Sequence, residues 1–210
     1  MTIAIIDYGM GNLKSVKKAF AALDFNAEIT ADPEMILKAD KVVLPGVGAF
    51  RDAIAELNIS GLAEATKEVV KKGTPLLGIC LGMQLLFDKS YEYGTYEGLG
   101  LLPGEIVKMT TEEMRDEKGE SLKIPHMGWN NLELVKKDPL FTGLEQGSSV
   151  YFVHSYYLET PVDVVSAYTT YGKRIAVAAQ KDNIFATQFH PEKSGLVGLQ
   201  ILKNFGGMKA

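Results

Sequence analysis

Cysteine is almost absent from this chain: 210 residues contain one, Cys80. An intramolecular disulfide is therefore excluded, and stability must come from a packed core, which a chain of this length can build. Histidine is scarce as well. His126, His154 and His190 are the only three, and scattered as they are beside a single cysteine they offer no metal-ligand spacing. No cluster of Lys and Arg is present and the net charge is −4, so the chain carries no footprint for a phosphate backbone and nucleic-acid binding is not expected. No apolar run approaches the length needed to span a bilayer. The start, Met1 to Asp7, lacks the basic stretch and small-residue cleavage site of a secretory leader, so a cytoplasmic location is expected. A GxxxxGK[ST] phosphate loop is missing, and Gly9-Met10-Gly11 lacks the third glycine of a dinucleotide fingerprint.

What is present is ordinary globular composition. With 46% hydrophobic and 23% charged residues, disorder is excluded and one domain over residues 1–210 is expected. Ile3 to Ile6, Val42 to Leu44 and Pro75 to Ile79 read as short buried strands. Between them come helical spacings: Val16, Ala19, Phe20 and Leu23 after an N-cap at Asn12; Ala53, Ile54 and Leu57; and Leu62 to Val70, stopped by Gly73. Met83 to Phe87 opens a further helix. This alternation implies an α/β fold with a mostly parallel central sheet flanked by helices. Residues 110–120 are largely charged or polar and read as an exposed loop or hairpin tip. Later, strands dominate: Val150 to Val153, Val164 to Tyr168, Ala176 to Gln180 and Ile184 to His190, with turns at Tyr171-Gly172 and Asp182-Asn183. A last helix is expected from about Leu196 to Phe205.

The densest chemistry lies at Gly78-Ile79-Cys80-Leu81-Gly82-Met83-Gln84. A buried strand ends and a helix begins there, so the segment has the form of a nucleophile elbow carrying Cys in place of Ser. The flanking glycines leave room for the tight turn, and a helix N-terminus behind Cys80 favours the thiolate. A thiol nucleophile needs a base, and the base needs an orienting group. His190-Pro191-Glu192 can supply both: the proline keeps the segment extended or turning, so that Glu192 can reach the His190 imidazole. Pro45-Gly46-Val47-Gly48 follows a strand upstream of the elbow. Elbow hydrolases take their second oxyanion donor from such a loop, so the backbone N–H groups of Leu81 and Val47 are the candidate pair. A buried structural cysteine and a surface His–Glu pair are the plainer readings of these residues.

Together, Gly78 to Gln84 and His190-Pro191-Glu192 resemble the class I (triad) glutamine amidotransferases. Asp7-Tyr8-Gly9-Met10-Gly11-Asn12, Pro125-His126-Met127-Gly128-Trp129-Asn130 and Tyr151-Phe152-Val153-His154-Ser155-Tyr156 look like the glutaminase-subunit family of imidazole glycerol phosphate synthases. The resemblance covers nearly the whole chain. It implies a flavodoxin-like domain in which Cys80 attacks the side-chain amide of L-glutamine, His190 moves the protons and Glu192 orients His190. Gln84 and Glu92, with backbone around Gly46, Gly48, His154, Ser155 and Tyr156, would hold the amino-acid head. It implies no cofactor and no metal. The partner would be the (β/α)₈ cyclase subunit of imidazole glycerol phosphate synthase, which consumes the ammonia in histidine biosynthesis; Asn12, Trp129 and Lys193 fall where family members face it. Two other expectations compete. Triad glutaminases that feed pyridoxal phosphate or anthranilate synthesis share the elbow and triad. An inactive elbow protein serving as an interaction module or redox sensor would share the cysteine.

Overall fold

The computed structural model describes residues 1–208. The chain runs β1 (Thr2–Ile6), α1 (Leu13–Ala21), β2 (Asn26–Thr30), α2 (Pro33–Lys38), β3 (Lys41–Gly46), α3 (Phe50–Ile59), α4 (Leu62–Lys71), β4 (Leu76–Cys80) and α5 (Leu81–Leu85). Strands then dominate: β5 (Lys89–Ser90), β6 (Tyr96–Glu97), β7 (Glu105–Lys108), β8 (His126–Asn131), β9 (Glu133–Leu134), β10 (Ser149–His154), β11 (Tyr156–Glu159), β12 (Val165–Tyr171), β13 (Lys173–Lys181) and β14 (Ile184–Thr187). The long helix α6 (Gly195–Gly207) follows.

Five parallel strands, in the order β2-β1-β3-β4-β14, form one side of a 12-stranded sheet, with β2 at its edge. Beyond β14 the sheet continues with antiparallel neighbours β13 and β11. Every residue of β3 and β4 is buried, as both faces of a parallel sheet must be. Side-chain alternation along these strands assigns each face its helices. Ile3, Ile5, Val43 and Leu77 pack with Phe20 of α1 and Ile201, Leu202 and Phe205 of α6. Ala4, Ile6, Val42 and Leu44 pack with Ile36 of α2, Leu57 of α3 and Val69 of α4. Each fully buried Ile or Leu of this kind contributes about 1.5–3 kcal/mol.

Chain order reverses at β1, which lies between β2 and β3. In open α/β sheets the crevice for ligands forms outside the carboxyl ends of the strands at such a reversal. The carboxyl ends of β1, β3, β4 and β14 bring together Tyr8, Gly46, Cys80 and, just beyond β14, His190. A separate two-stranded sheet, β10 against β8, pairs His154 with His126 and Tyr151 with Trp129. At Ser155 the chain leaves this small sheet and enters the large one as β11.

Several boundaries differ from the expectations above. The elbow helix begins at Leu81, directly after Cys80, and ends at Leu85, rather than opening at Met83 and running on through Phe87. The following loop takes up the carbonyls a longer helix would use: Leu99 N–H bonds the Leu85 carbonyl and Leu101 N–H the Leu86 carbonyl. With five residues, α5 brings only a small dipole to Cys80. Asn12 stands at the N-cap of α1, but its side chain makes no capping hydrogen bond. The strand expected over Ile184 to His190 ends at Thr187; Gln188 N–H still bonds the Val177 carbonyl of β13, and His190 N–H turns to the Tyr151 carbonyl of β10. Residues 110–120 form turns closed by an isolated bridge from Arg115 to Ser121. The segments Asn26–Thr30 and Pro33–Lys38 were not predicted; β2 is a mostly polar edge strand, and α2 spans under two turns.

Candidate functional site

Cys80 has φ 56° and ψ −113°, a sparsely populated conformation that costs about 1–3 kcal/mol. The neighbouring glycines are there for space. A Cβ on Gly82 would strike the Leu44 carbonyl oxygen, and one on Gly78 would come within 2.9 Å of Met83 Cα. The turn thus fits between β3 and α5 only with hydrogens at both positions, and it lifts the thiol out of the sheet.

His190 follows β14, the strand beside β4. Its Nδ1 lies 2.8 Å from Glu192 Oε1, with both side chains almost fully buried. The short 3₁₀ turn Pro191–Lys193 folds the carboxylate back onto the ring. Ser194 locks this turn: its hydroxyl donates to the His190 carbonyl at 2.6 Å and accepts from Tyr151 N–H at 2.9 Å. Nε2 of His190 has no hydrogen-bond partner among the described residues, and the ring shares the cavity wall with Cys80. Burial pushes the imidazole down, but the Cys80 thiolate and the Glu192 carboxylate outweigh burial and push it up to about 9. His190 is therefore held as a cation facing the sulphur.

The cavity in front of Cys80 has a volume of about 430 Å³. Of the residues expected from sequence, Val47, Gly48, Leu81, Gln84, Glu92, His154, Ser155 and Tyr156 line it together with Cys80 and His190. Gly46 lies beneath it, paired with Cys80 across β3 and β4. The Tyr8 hydroxyl occupies the place of a Gly46 Cβ and donates to the Pro45 carbonyl at 3.0 Å, anchoring the start of the Pro45–Gly48 loop. Gly48 has φ +103°, a conformation open to glycine. Glu92 accepts from Phe50 N–H at 2.6 Å; it supplies α3 with a cap that Ala49 cannot provide and is fixed at the cavity wall in return.

Sequence reading missed Lys108, Tyr93, Ile124, Pro125 and Val153, which also line the cavity. Lys108 is the last residue of a four-residue strand, and nothing in its local sequence marks it. Gln188 was missed as well. It is fully buried, and its Nε2 lies 3.8 Å from Cys80 Sγ.

The far wall is held by the other two histidines. His154 Nδ1 lies 2.8 Å from the Tyr156 carbonyl, which can only accept, so Nδ1 carries the proton and Nε2 is an acceptor. His126 Nδ1 then donates to His154 Nε2 at 2.9 Å, leaving His126 Nε2 to accept from the Asn130 amide at 3.3 Å. The Asn130 amide nitrogen also donates to the Thr170 carbonyl at 2.9 Å, which fixes the direction at that end. Burial lowers His126 to about 4 and His154 to about 3. Both rings are neutral.

Asn12, Trp129 and Lys193 do not enter the cavity. Trp129 is 59% exposed, so it is no core aromatic; its ring meets Tyr151 edge-on and lies beside Gly195. Lys193 is exposed on the turn that carries Glu192. Asn12 opens α1, which packs against that turn.

The pattern of the "Glutamine amidotransferase class-I" family matches residues 4–207. The chain is 56% identical to the "Imidazole glycerol phosphate synthase subunit HisH" of Geobacter sulfurreducens, over 99% of both chains. To the subunit of the same name from Bacillus cereus (strain G9842) it is 51% identical, over 98% of this chain and 94% of that one. Among solved structures, a "glutamine amidotransferase" superposes with a TM-score of 0.73 at 19% identity, covering 98% of this chain and 99% of the other. PurLQS from Thermotoga maritima gives 0.70 at 18%, covering 97% and 96%; at such identities the likeness is one of fold. Matched almost from end to end by the family pattern and by relatives above half identity, the chain belongs to the class-I glutamine amidotransferases, in the branch of the HisH subunits of imidazole glycerol phosphate synthase.

Proposed function

We propose that this chain hydrolyses L-glutamine to glutamate and ammonia with Cys80, His190 and Glu192, and delivers the ammonia to the cyclase subunit of imidazole glycerol phosphate synthase for histidine biosynthesis. The observation that carries the chemistry is the strained Cys80 on the same cavity wall as His190, whose ring is itself held by Glu192. The relatives' shared name carries the partner and the pathway.

Glutamine enters with its carboxamide toward Cys80. The cavity offers one carboxylate, Glu92, and one ammonium, Lys108, a pairing suited to a zwitterionic amino-acid head. The Cys80 thiolate attacks the carboxamide carbon, forming the C–S bond and moving the π pair onto oxygen. Backbone N–H groups of Leu81 and Val47 are the proposed oxyanion donors. His190 passes its Nε2 proton to the leaving nitrogen, ammonia departs and a thioester remains. The neutral imidazole then takes a proton from water, the hydroxide adds, and the C–S bond breaks to release glutamate and restore the thiolate–imidazolium pair. Glu192 keeps the ring oriented and stabilises its charge throughout.

Asn12, Trp129 and Lys193 form the proposed docking face, on the same end of the sheet as the cavity mouth. No helix among the described residues is long and apolar enough to cross a membrane, and a cytoplasmic site of action fits a biosynthetic glutaminase. A glutaminase without its acceptor would waste glutamine, so partner control is expected at the Pro45–Gly48 loop. Rotating the Gly46–Val47 peptide would withdraw one oxyanion donor without moving the triad, a change of about 10²–10³ in rate. The test measures glutamine hydrolysis by the chain alone, with cyclase, and with cyclase plus acceptor. Stimulation of that order by the loaded cyclase is expected. Full activity in the isolated chain would rule the switch out, and no glutamine hydrolysis under any condition would overturn the assignment itself.

A further inference from the structure

Gln188 lies one residue past β14 and is fully buried, with its backbone N–H on the Val177 carbonyl at 2.8 Å. Two hydrogen bonds fix its side chain: Nε2 donates to Cys80 Sγ at 3.8 Å, and Oε1 accepts from Gln84 Nε2 at 2.9 Å. A thiolate can only accept, so the amide must turn its N–H toward the sulphur. Its oxygen then faces Gln84, whose amide must in turn donate its N–H and keep its carbonyl oxygen for the cavity. With the sulphur as acceptor, one orientation of both amides satisfies every contact.

We infer that Gln188 is a fourth catalytic residue, a neutral N–H donor that stabilises the Cys80 thiolate when it attacks and again when it leaves. The inference rests on Cys80 being the nucleophile. The groups around the sulphur make the role specific. His190, backed by Glu192, approaches from the turn after β14 and must give up its proton in each cycle. The Tyr8 hydroxyl comes from the turn after β1; burial and the sulphur's charge both push it up, and its proton is committed to the Pro45 carbonyl. Glu92 and Lys108 lie across the cavity. Gln188 alone among these neighbours gives the sulphur a donor that never titrates.

During attack the sulphur lone pair becomes the C–S bond, and the Gln188 bond weakens as the charge moves to oxygen. In the second half-reaction water adds to the thioester, His190 takes its proton, and the C–S pair returns to sulphur. The Gln188 N–H is already aligned to receive that charge. A donor of this kind favours the thiolate form before attack, lowers the barrier to C–S cleavage in the second half-reaction, and holds Gln84 in the orientation that meets the substrate.

The test uses the complex with cyclase and two variants, Gln188→Leu and Gln188→Met. The pH dependence of Cys80 alkylation by iodoacetamide is followed by mass spectrometry, and kcat is measured with glutamine and with ammonium chloride. Loss of one hydrogen bond to a charged group should raise the pH midpoint of alkylation by about one unit. The kcat for glutamine should fall roughly tenfold, while ammonia-dependent cyclisation stays at the wild-type level, which also reports folding and assembly. An unchanged midpoint in either folded variant would overturn the inference and reduce Gln188 to packing. Failure of the nucleophile assignment would read differently, as retained glutamine turnover in Cys80→Ala whatever Gln188 does.

Discussion

Three buried histidines belong to one site, His190 and His154 on the cavity wall and His126 behind His154, and their surroundings favour different charge states. Burial pushes all three toward the neutral form. His190 escapes because a carboxylate and a thiolate flank it, and it rises to about 9. His126 and His154 have only each other, a backbone carbonyl and an amide for partners, and they fall to about 4 and 3. The difference lies in the neighbours rather than in depth. Where a proton must move, the site supplies charges of the opposite sign. Where a wall must stay fixed, it supplies a chain of neutral dipoles with one allowed direction.

Breaking the charged side of this comparison should have the largest effect. His190→Ala removes the proton carrier and should lower kcat for glutamine at least about a thousandfold, because triad members act as a unit. Glu192→Gln removes only the orienting charge and should be milder by roughly one to two orders of magnitude. The pH profile sharpens the contrast. His190 lies above its ordinary value of 6.5, so its proton is present at neutral pH and is lost as pH rises through about 9. Activity should therefore show an alkaline limb near 9. Because the carboxylate raises His190, Glu192→Gln should move that limb to lower pH; a limb that stays in place would show that Glu192 does not set the charge.

The neutral side should break more gently. His126→Phe keeps the stacking on Phe152 and Tyr171, whose ring centroids lie 4.7 and 4.0 Å away, but strips His154 Nε2 of its donor. An unsatisfied buried acceptor costs about 1–3 kcal/mol, so Tm should fall by several degrees. The His154–Ser155–Tyr156 wall should loosen, raising KM for glutamine about three- to tenfold with kcat within roughly twofold. A collapse of kcat at constant KM would place His126 in proton transfer and dissolve the distinction between the two regions.

The two regions also differ in how well the sequence announces them. The elbow and His190-Pro191-Glu192 are local: strand, turn and helix patterns span a few residues, and the carboxylate reaches the ring two positions away. Such short-range geometry is readable because Pro191 and the glycines at 78 and 82 restrict the backbone. Four of the five parallel strands, β1, β3, β4 and β14, were legible as continuous apolar runs, because they are buried on both faces; the edge strand β2, only partly buried, was not. The wall is non-local. His126 and His154 are 28 positions apart, and no periodicity shows that β8 and β10 align them. Lys108 reaches the cavity from a four-residue strand, and Gln188 approaches Cys80 across 108 positions. Trp129 was recognisable as a motif residue, but its exposure follows from the edge of a two-stranded sheet, which the sequence does not mark.

The central claim is that Cys80 starts the glutamine reaction and that this reaction is separable from the partner's use of ammonia. Its most direct test is Cys80→Ala in complex with the cyclase, with product formation measured from glutamine and from ammonium salt side by side. Glutamine-dependent turnover should fall by at least about a thousandfold while ammonia-dependent turnover stays at the wild-type level. Retained turnover of glutamine in Cys80→Ala would contradict the claim outright.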